Sequence, residues 1–180
     1  MSSNSWNQTL ITAQGDGSAL TSSTSATSIL PAAAKFTFPA NLLQIGTALR
    51  LKASGRISTA ASTPGTITFD ARFGSVVVFN GGASGTVATS ATNLTWDLEM
   101  LLTCRSIGAS TSATMLGTGR LLTAALSATT PIMLLPASAP AAGTGFDSTS
   151  SFVVDLFATW SVSSASNTIT LHSYELALLN

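Results

Sequence analysis

Charge is what this chain has least of. Asp, Glu, Lys and Arg make up 8% of its 180 residues, where a soluble domain carries about 25%, so Ser, Thr, Gly and Ala must cover most of the surface. The seven basic and seven acidic residues cancel, which leaves no field to draw nucleic acid or an anionic membrane. Near-zero net charge also leaves little repulsion between copies, and points to an oligomer. The single cysteine, Cys104, excludes an intrachain disulfide and reads as a small core residue rather than a nucleophile. One histidine, His172, cannot build the usual His and Cys zinc site within one subunit. It reads as a strand histidine on a half-buried face, with a three-fold cluster on an assembly axis as the alternative. No Gly-x-Ser-x-Gly elbow occurs. Gly81-Gly82-x-x-Gly85 and Gly117-x-Gly119 lack a following helix, so they read as loop glycines rather than phosphate cradles. No cofactor is expected, and no enzyme.

The opening Met1-Ser2-Ser3-Asn4-Ser5-Trp6 has neither the basic head nor the apolar stretch of a secretory signal, so a chain made and left in a cytoplasm is expected. Residues 121–142 are apolar, but Pro131, Pro136 and Pro140 interrupt them too often for a spanning helix. A strand followed by a long loop is expected there.

What the chain does have is alternation. Leu49, Leu51, Ala53 and Ile57 interleave with Arg50, Lys52, Ser54 and Arg56, a strand with one core face and one basic face. Gly55 keeps the core phase without a side chain, which predicts a bulge or the close approach of another backbone. Thr63-Pro64-Gly65-Thr66 then reads as a turn with positive φ at glycine, making a hairpin with Ile67, Phe69, Ala71 and Phe73, a run that continues through Val76 to Phe79. A break is expected at Asn80-Gly81-Gly82. Asn93 to Arg105 is the longest alternation, with Leu94, Trp96, Leu98, Met100, Leu102 and Cys104 inside. Ala113 to Leu122 is a weaker strand and Ser151 to Val162 a strong one. From Thr168 to Leu178 the apolar phase shifts by one residue between Leu171 and Tyr174, the mark of a β-bulge. Thr9 to Ala13 and Ala19 to Ile29 read as edge strands. Lys35 to Phe38 is a short strand before Pro39, and Pro39 to Gln44 is the best helix candidate. Together these predict one all-β domain, an antiparallel sandwich of jelly-roll type with about eight strands. Residues 1–30 are read as an N-terminal arm with the first edge strand, and residues 31–180 as the sandwich. An immunoglobulin-like sandwich lacks its cysteine pair.

Asp97 and Glu99 lie two apart on one strand face, about 7 Å along it, a spacing resembling that of some glycosidase acids. Their Thr and Arg neighbours favour cross-strand ion pairs instead, with Arg50, Lys52, Arg72 or Arg105. More informative is the whole stripe: Arg50, Lys52, Arg56, Asp70, Arg72, Asp97, Glu99 and Arg105 fall on the outer face of three strong strands. A solvated face is one reading; a subunit interface in which both signs set register is the other. Trp96 and Trp160 hold core phases, whereas Trp6, beside Asn7 and Gln8, stands in a polar tail.

The tail around Trp6-Asn7-Gln8, the strand containing Gly55-Arg56-Ile57-Ser58, the Pro64-Gly65 hairpin, the Asn93 to Arg105 strand and the closing Asn167 to Asn180 strand together resemble a class of tailed-bacteriophage virion proteins. These are small, charge-poor jelly rolls that trimerise on the particle. The resemblance implies a capsid decoration, or cement, protein of the phage head: a homotrimer on the major capsid protein, with the arm and its Trp6, Asn7 and Gln8 strapping a neighbour or the shell. A receptor- or glycan-binding knob of a tail fibre is the second reading, with Pro131 to Ser148, including Phe146 and Asp147, as the binding loop.

Overall fold

The computed structural model describes residues 7–126 and 131–179, and they form two antiparallel sheets packed face to face. The larger sheet has seven strands: β1 (Asn7–Thr12), β2 (Leu20–Thr21), β5 (Ala48–Ser58), β8 (Leu94–Ser106), β9 (Thr114–Thr123), β10 (Ile132–Leu135) and β12 (Thr168–Leu179), in the order β1-β12-β5-β8-β9-β10 with β2 also on β12. The smaller sheet has five: β3 (Thr27–Ser28), β4 (Phe36–Phe38), β6 (Ile67–Phe73), β7 (Val76–Ala83) and β11 (Phe152–Trp160), in the order β3-β11-β6-β7 with β4 also on β11.

Period-2 alternation decides which side chains fill the space between the layers. On β8, Trp96, Leu98, Met100, Leu102 and Cys104 are buried while Thr95, Asp97, Leu101 and Arg105 are exposed. Leu49, Leu51, Ala53 and Ile57 continue that inner face on β5, and Ile67, Phe69, Ala71 and Phe73 meet them from β6. Phe69 and Trp96 touch across the gap with ring centroids 5.4 Å apart. Phe79 fits over a bare backbone at Gly117, where a Cβ would stand 2.1 Å from the ring.

The one-residue phase shift in β12 is a bulge. Opposite β5 the register slips between Leu171 and Ser173, leaving His172 as the extra residue. Gly55 sits across from it, and a Cβ there would lie 1.9 Å from the Thr170 carbonyl oxygen. The bulge and the close approach are thus one feature.

Several expectations are corrected. β5 and β6 belong to different sheets, so Thr63 to Thr66 is a crossover rather than a hairpin turn, although Gly65 does take a φ of +81°. Buried Asn167 explains the crossover: its Nδ2 donates to the carbonyls of Pro64 and Val162, and its Oδ1 accepts from Ala60 N–H. The hairpin lies one strand later, at Gly74-Ser75, a two-residue loop opened by glycine at φ +59°. Asn80-Gly81-Gly82 does not break the chain. It makes a register shift inside β7, opposite Thr68 and Asp70. Gly117 and Gly119 are strand residues of β9, not loop glycines. Pro39 to Gln44 is irregular, and the helical segment among the described residues is instead a single 3-10 turn at Ala32–Ala34. Residues 121–142 hold the edge strand β10 between Pro131 and Pro136.

Residues 7–30 are built into the sandwich. β1 pairs with β12, β2 with β12 and β3 with β11, while Ile29 and Leu30 are buried in the core. Among the described residues no helix is long and apolar enough to cross a membrane.

Candidate functional site

The eight residues of the expected charged stripe divide between two opposite surfaces. Arg50, Lys52 and Arg56 on β5, with Asp97, Glu99 and Arg105 on β8, share the outer face of the large sheet. Asp70 and Arg72 lie on β6 in the small sheet, because the chain changes layer after Ser58. Residues missed in the sequence complete the large-sheet face: Glu175 on β12 and Arg120 on β9. Their signal was present, since each occupies an outward phase of its strand.

Ion pairing on this face follows the register only partly. Glu99 stands between Lys52 and Arg120 and bonds Arg120 at 2.7 Å, not one of the four basic residues expected for it. Arg50 reaches Glu175 diagonally at 3.5 Å. Lys52, Arg56, Asp97 and Arg105 form no ion pair among the described residues. Three of these unmatched groups are basic and one is acidic, and they sit in neighbouring columns. Beside them the face turns apolar: Leu101, Leu122, Ile132 and Leu134 are exposed, around a shallow dent of about 320 Å³ lined by Glu99, Leu101, Thr118, Arg120 and Leu134.

The outer face of the small sheet is different in kind. Asp155 is buried and fully engaged: Lys35 pairs with it at 2.7 Å, Ser28 Oγ donates to it at 2.7 Å, and the Leu156 N–H donates at 2.8 Å. Asp70, only 4% exposed, accepts from Arg72 Nε at 2.5 Å, and the Arg72 guanidinium lies 4.0 Å from the Phe157 ring centroid. Burial pushes the Asp70 carboxyl above the usual aspartate range; Arg72 pulls it down and Asp155 adds to the rise. These contacts bind strands of one layer to each other and to the segment before β4.

His172, the bulge residue, pairs through Nδ1 with Asp16 at 2.8 Å, which ties the turn after β1 to β12. Cys104 is buried, its thiol pushed up by desolvation. Among the described residues no three of His, Cys, Asp and Glu gather to hold a metal ion. Phe146 and Asp147 do meet at a cavity of about 400 Å³, lined also by Phe73, Gly74, Val76, Ser150 and Phe152. Phe146 is buried edge-on between Phe73 and Phe152, and the Asp147 carboxylate accepts from Thr149 N–H and Oγ1, which holds it below the usual range. Asn7 and Gln8 are exposed on β1, where they pair with Leu179 and Leu178. Trp6 lies outside the described residues.

Neither a protein-family model nor a curated protein matches the chain.

Proposed function

We propose that this protein is a structural virion subunit, a capsid decoration protein of jelly-roll type that assembles as a homotrimer and stabilises a phage head through the major capsid protein. The observation that carries the reading is the outer face of the large sheet, where Lys52, Arg56, Asp97 and Arg105 have no ion-pair partner among the described residues beside exposed leucines. Solvated charges of both signs in fixed columns set register and orientation between copies more than they add affinity, and the chain's neutrality removes the repulsion that keeps most proteins apart.

The test is the mass of the purified protein by light scattering, beside a reconstruction of particles decorated with it. A mass of three times 18.2 kDa and density over the shell are expected. Arg56→Glu breaks no ion pair among the described residues and is expected to weaken attachment about tenfold. A monomer that leaves shells bare overturns the reading.

The second reading, a glycan-binding knob, draws on the cavity at Phe146 and Asp147, whose lining combines a carboxylate and serine hydroxyls with phenylalanine rings. It is the weaker one, since Phe146 offers almost no open ring face. A glycan array with Asp147→Ala as control separates the two: binding that this substitution abolishes favours the knob.

A further inference from the structure

At β10 an open sheet edge and exposed apolar side chains coincide. Thr123 N–H donates to the Pro131 carbonyl at 2.8 Å, which makes that pair a hydrogen-bonded one and sets the phase of the ladder. By alternation Met133 and Leu135 direct their main chain at β9, while Ile132 and Leu134 direct theirs away from the sheet. The same two residues carry side chains 46% and 74% exposed, and no other large hydrophobic among the described residues is as exposed as Leu134. Edge strands are ordinarily defended by a charge, an internal proline, a bulge or a covering segment. β10 has no charge, proline or bulge within its four residues. Pro131 falls in the phase that faces β9, so its missing N–H takes nothing from the open edge; Pro136 ends the ladder.

We propose that β10 pairs antiparallel with β10 of a second copy about a two-fold axis at Met133. The edge is self-complementary. With Met133 opposite its own twin, the free N–H and C=O of Ile132 meet those of Leu134 in the other copy, and the reverse, for four main-chain bonds without a gap. On the outer face Leu122, Ile132 and Leu134 of both copies then form one apolar patch, since Ile132 already neighbours Leu122. Arg120, the residue opposite Leu134 on β9, has its charge matched by Glu99 at 2.7 Å. This contact goes beyond the virion reading: it names a two-fold axis separate from any three-fold one and would hold whatever the protein attaches to. Four residues a side fall short of the roughly 1,000 Å² of a stable interface, so the pairing is concentration-dependent and strongest where copies are arrayed together.

The axis makes a sharp test. Met133 and its twin form a non-hydrogen-bonded pair with Cα atoms about 4.5 Å apart, so Met133→Cys in the full chain is expected to give a disulfide-linked dimer on mild oxidation. Wild type, with Cys104 buried, and Thr24→Cys, exposed beside β3 and away from both the charged face and β10, are expected to stay single. Leu134→Lys is expected to weaken self-association at least tenfold by sedimentation with unchanged circular dichroism. No cross-link for Met133→Cys at about 100 µM, or association unaltered by Leu134→Lys, overturns the inference. So does a Met133→Cys protein that stays single when pure while Leu134→Lys impairs particle attachment, since the edge would then take a strand of another protein. Cross-linking of the pure protein needs no particle, so its outcome is separate from that of the decoration reading.

Discussion

Phe79 and Gly117 fit each other as a large and a small residue across the two layers, and that fit is tested one side chain at a time. A methyl group at residue 117 would overlap the Phe79 ring, and overpacking of this kind costs about 1–3 kcal/mol. Gly117→Ala is therefore expected to lower the unfolding free energy measured by urea melts by that amount, and adding Phe79→Leu to recover part of the loss. Gly55→Ala should allow no such rescue, because the obstruction is the Thr170 carbonyl, which belongs to the ladder. Asp70 gives a pH-dependent counterpart. Its carboxyl is raised by burial, so the native state holds the proton more firmly than the unfolded chain does. The ionised group costs stability above its native pKa, and the cost is relieved as pH falls through that value. Asp70→Asn keeps an acceptor for Arg72 and drops the buried charge. It is expected to exceed wild type in stability at pH 7, with the difference shrinking as acid is added, measured by urea melts at successive pH values.

At the scale of the element, β1 bears on how an arm hypothesis can be tested. Deleting residues 2–15 would remove Asn7–Thr12 from β12 and the Asp16 neighbourhood that holds His172. Lost stability and lost attachment would then be confounded. Deleting residues 2–6 spares the ladder; unchanged thermal melting with reduced particle binding is the expected result, and undiminished binding counts against a strap. The strands themselves were legible in the sequence wherever alternation was strict, as in β5, β8 and β11, and so was the bulge in β12, because burial of one face forces a period of two. What alternation cannot convey is which layer a strand enters. That failure turned the β5-β6 crossover into a hairpin and placed Asp70 and Arg72 on the wrong surface. Asn167, whose amide bonds decide the crossing, looks like an ordinary turn residue in sequence. The two-residue turn at Gly74-Ser75 did carry a signal, a glycine between apolar runs, but lay hidden inside what reads as continuous hydrophobicity. β10 was hidden by its flanking prolines.

For the whole molecule, the pairings that close the two sheets are non-local. Strands near residue 10 join strands near residue 175, and β6 waits for β11. Chains of this topology fold in milliseconds to seconds rather than microseconds. Refolding from urea, followed by tryptophan fluorescence through buried Trp96 and Trp160, is expected in that slow range; a microsecond phase of full amplitude would contradict the architecture. Neutral overall charge adds a hazard during that interval, since unpaired apolar strands on separate chains meet without repulsion.

β12 is the spine on which β1, β2 and β5 all hang. During synthesis, those three strands emerge long before residues 168–179 exist to receive them. The growing polypeptide therefore carries its principal seam unzipped until that strand emerges, and only then can the sandwich close around it.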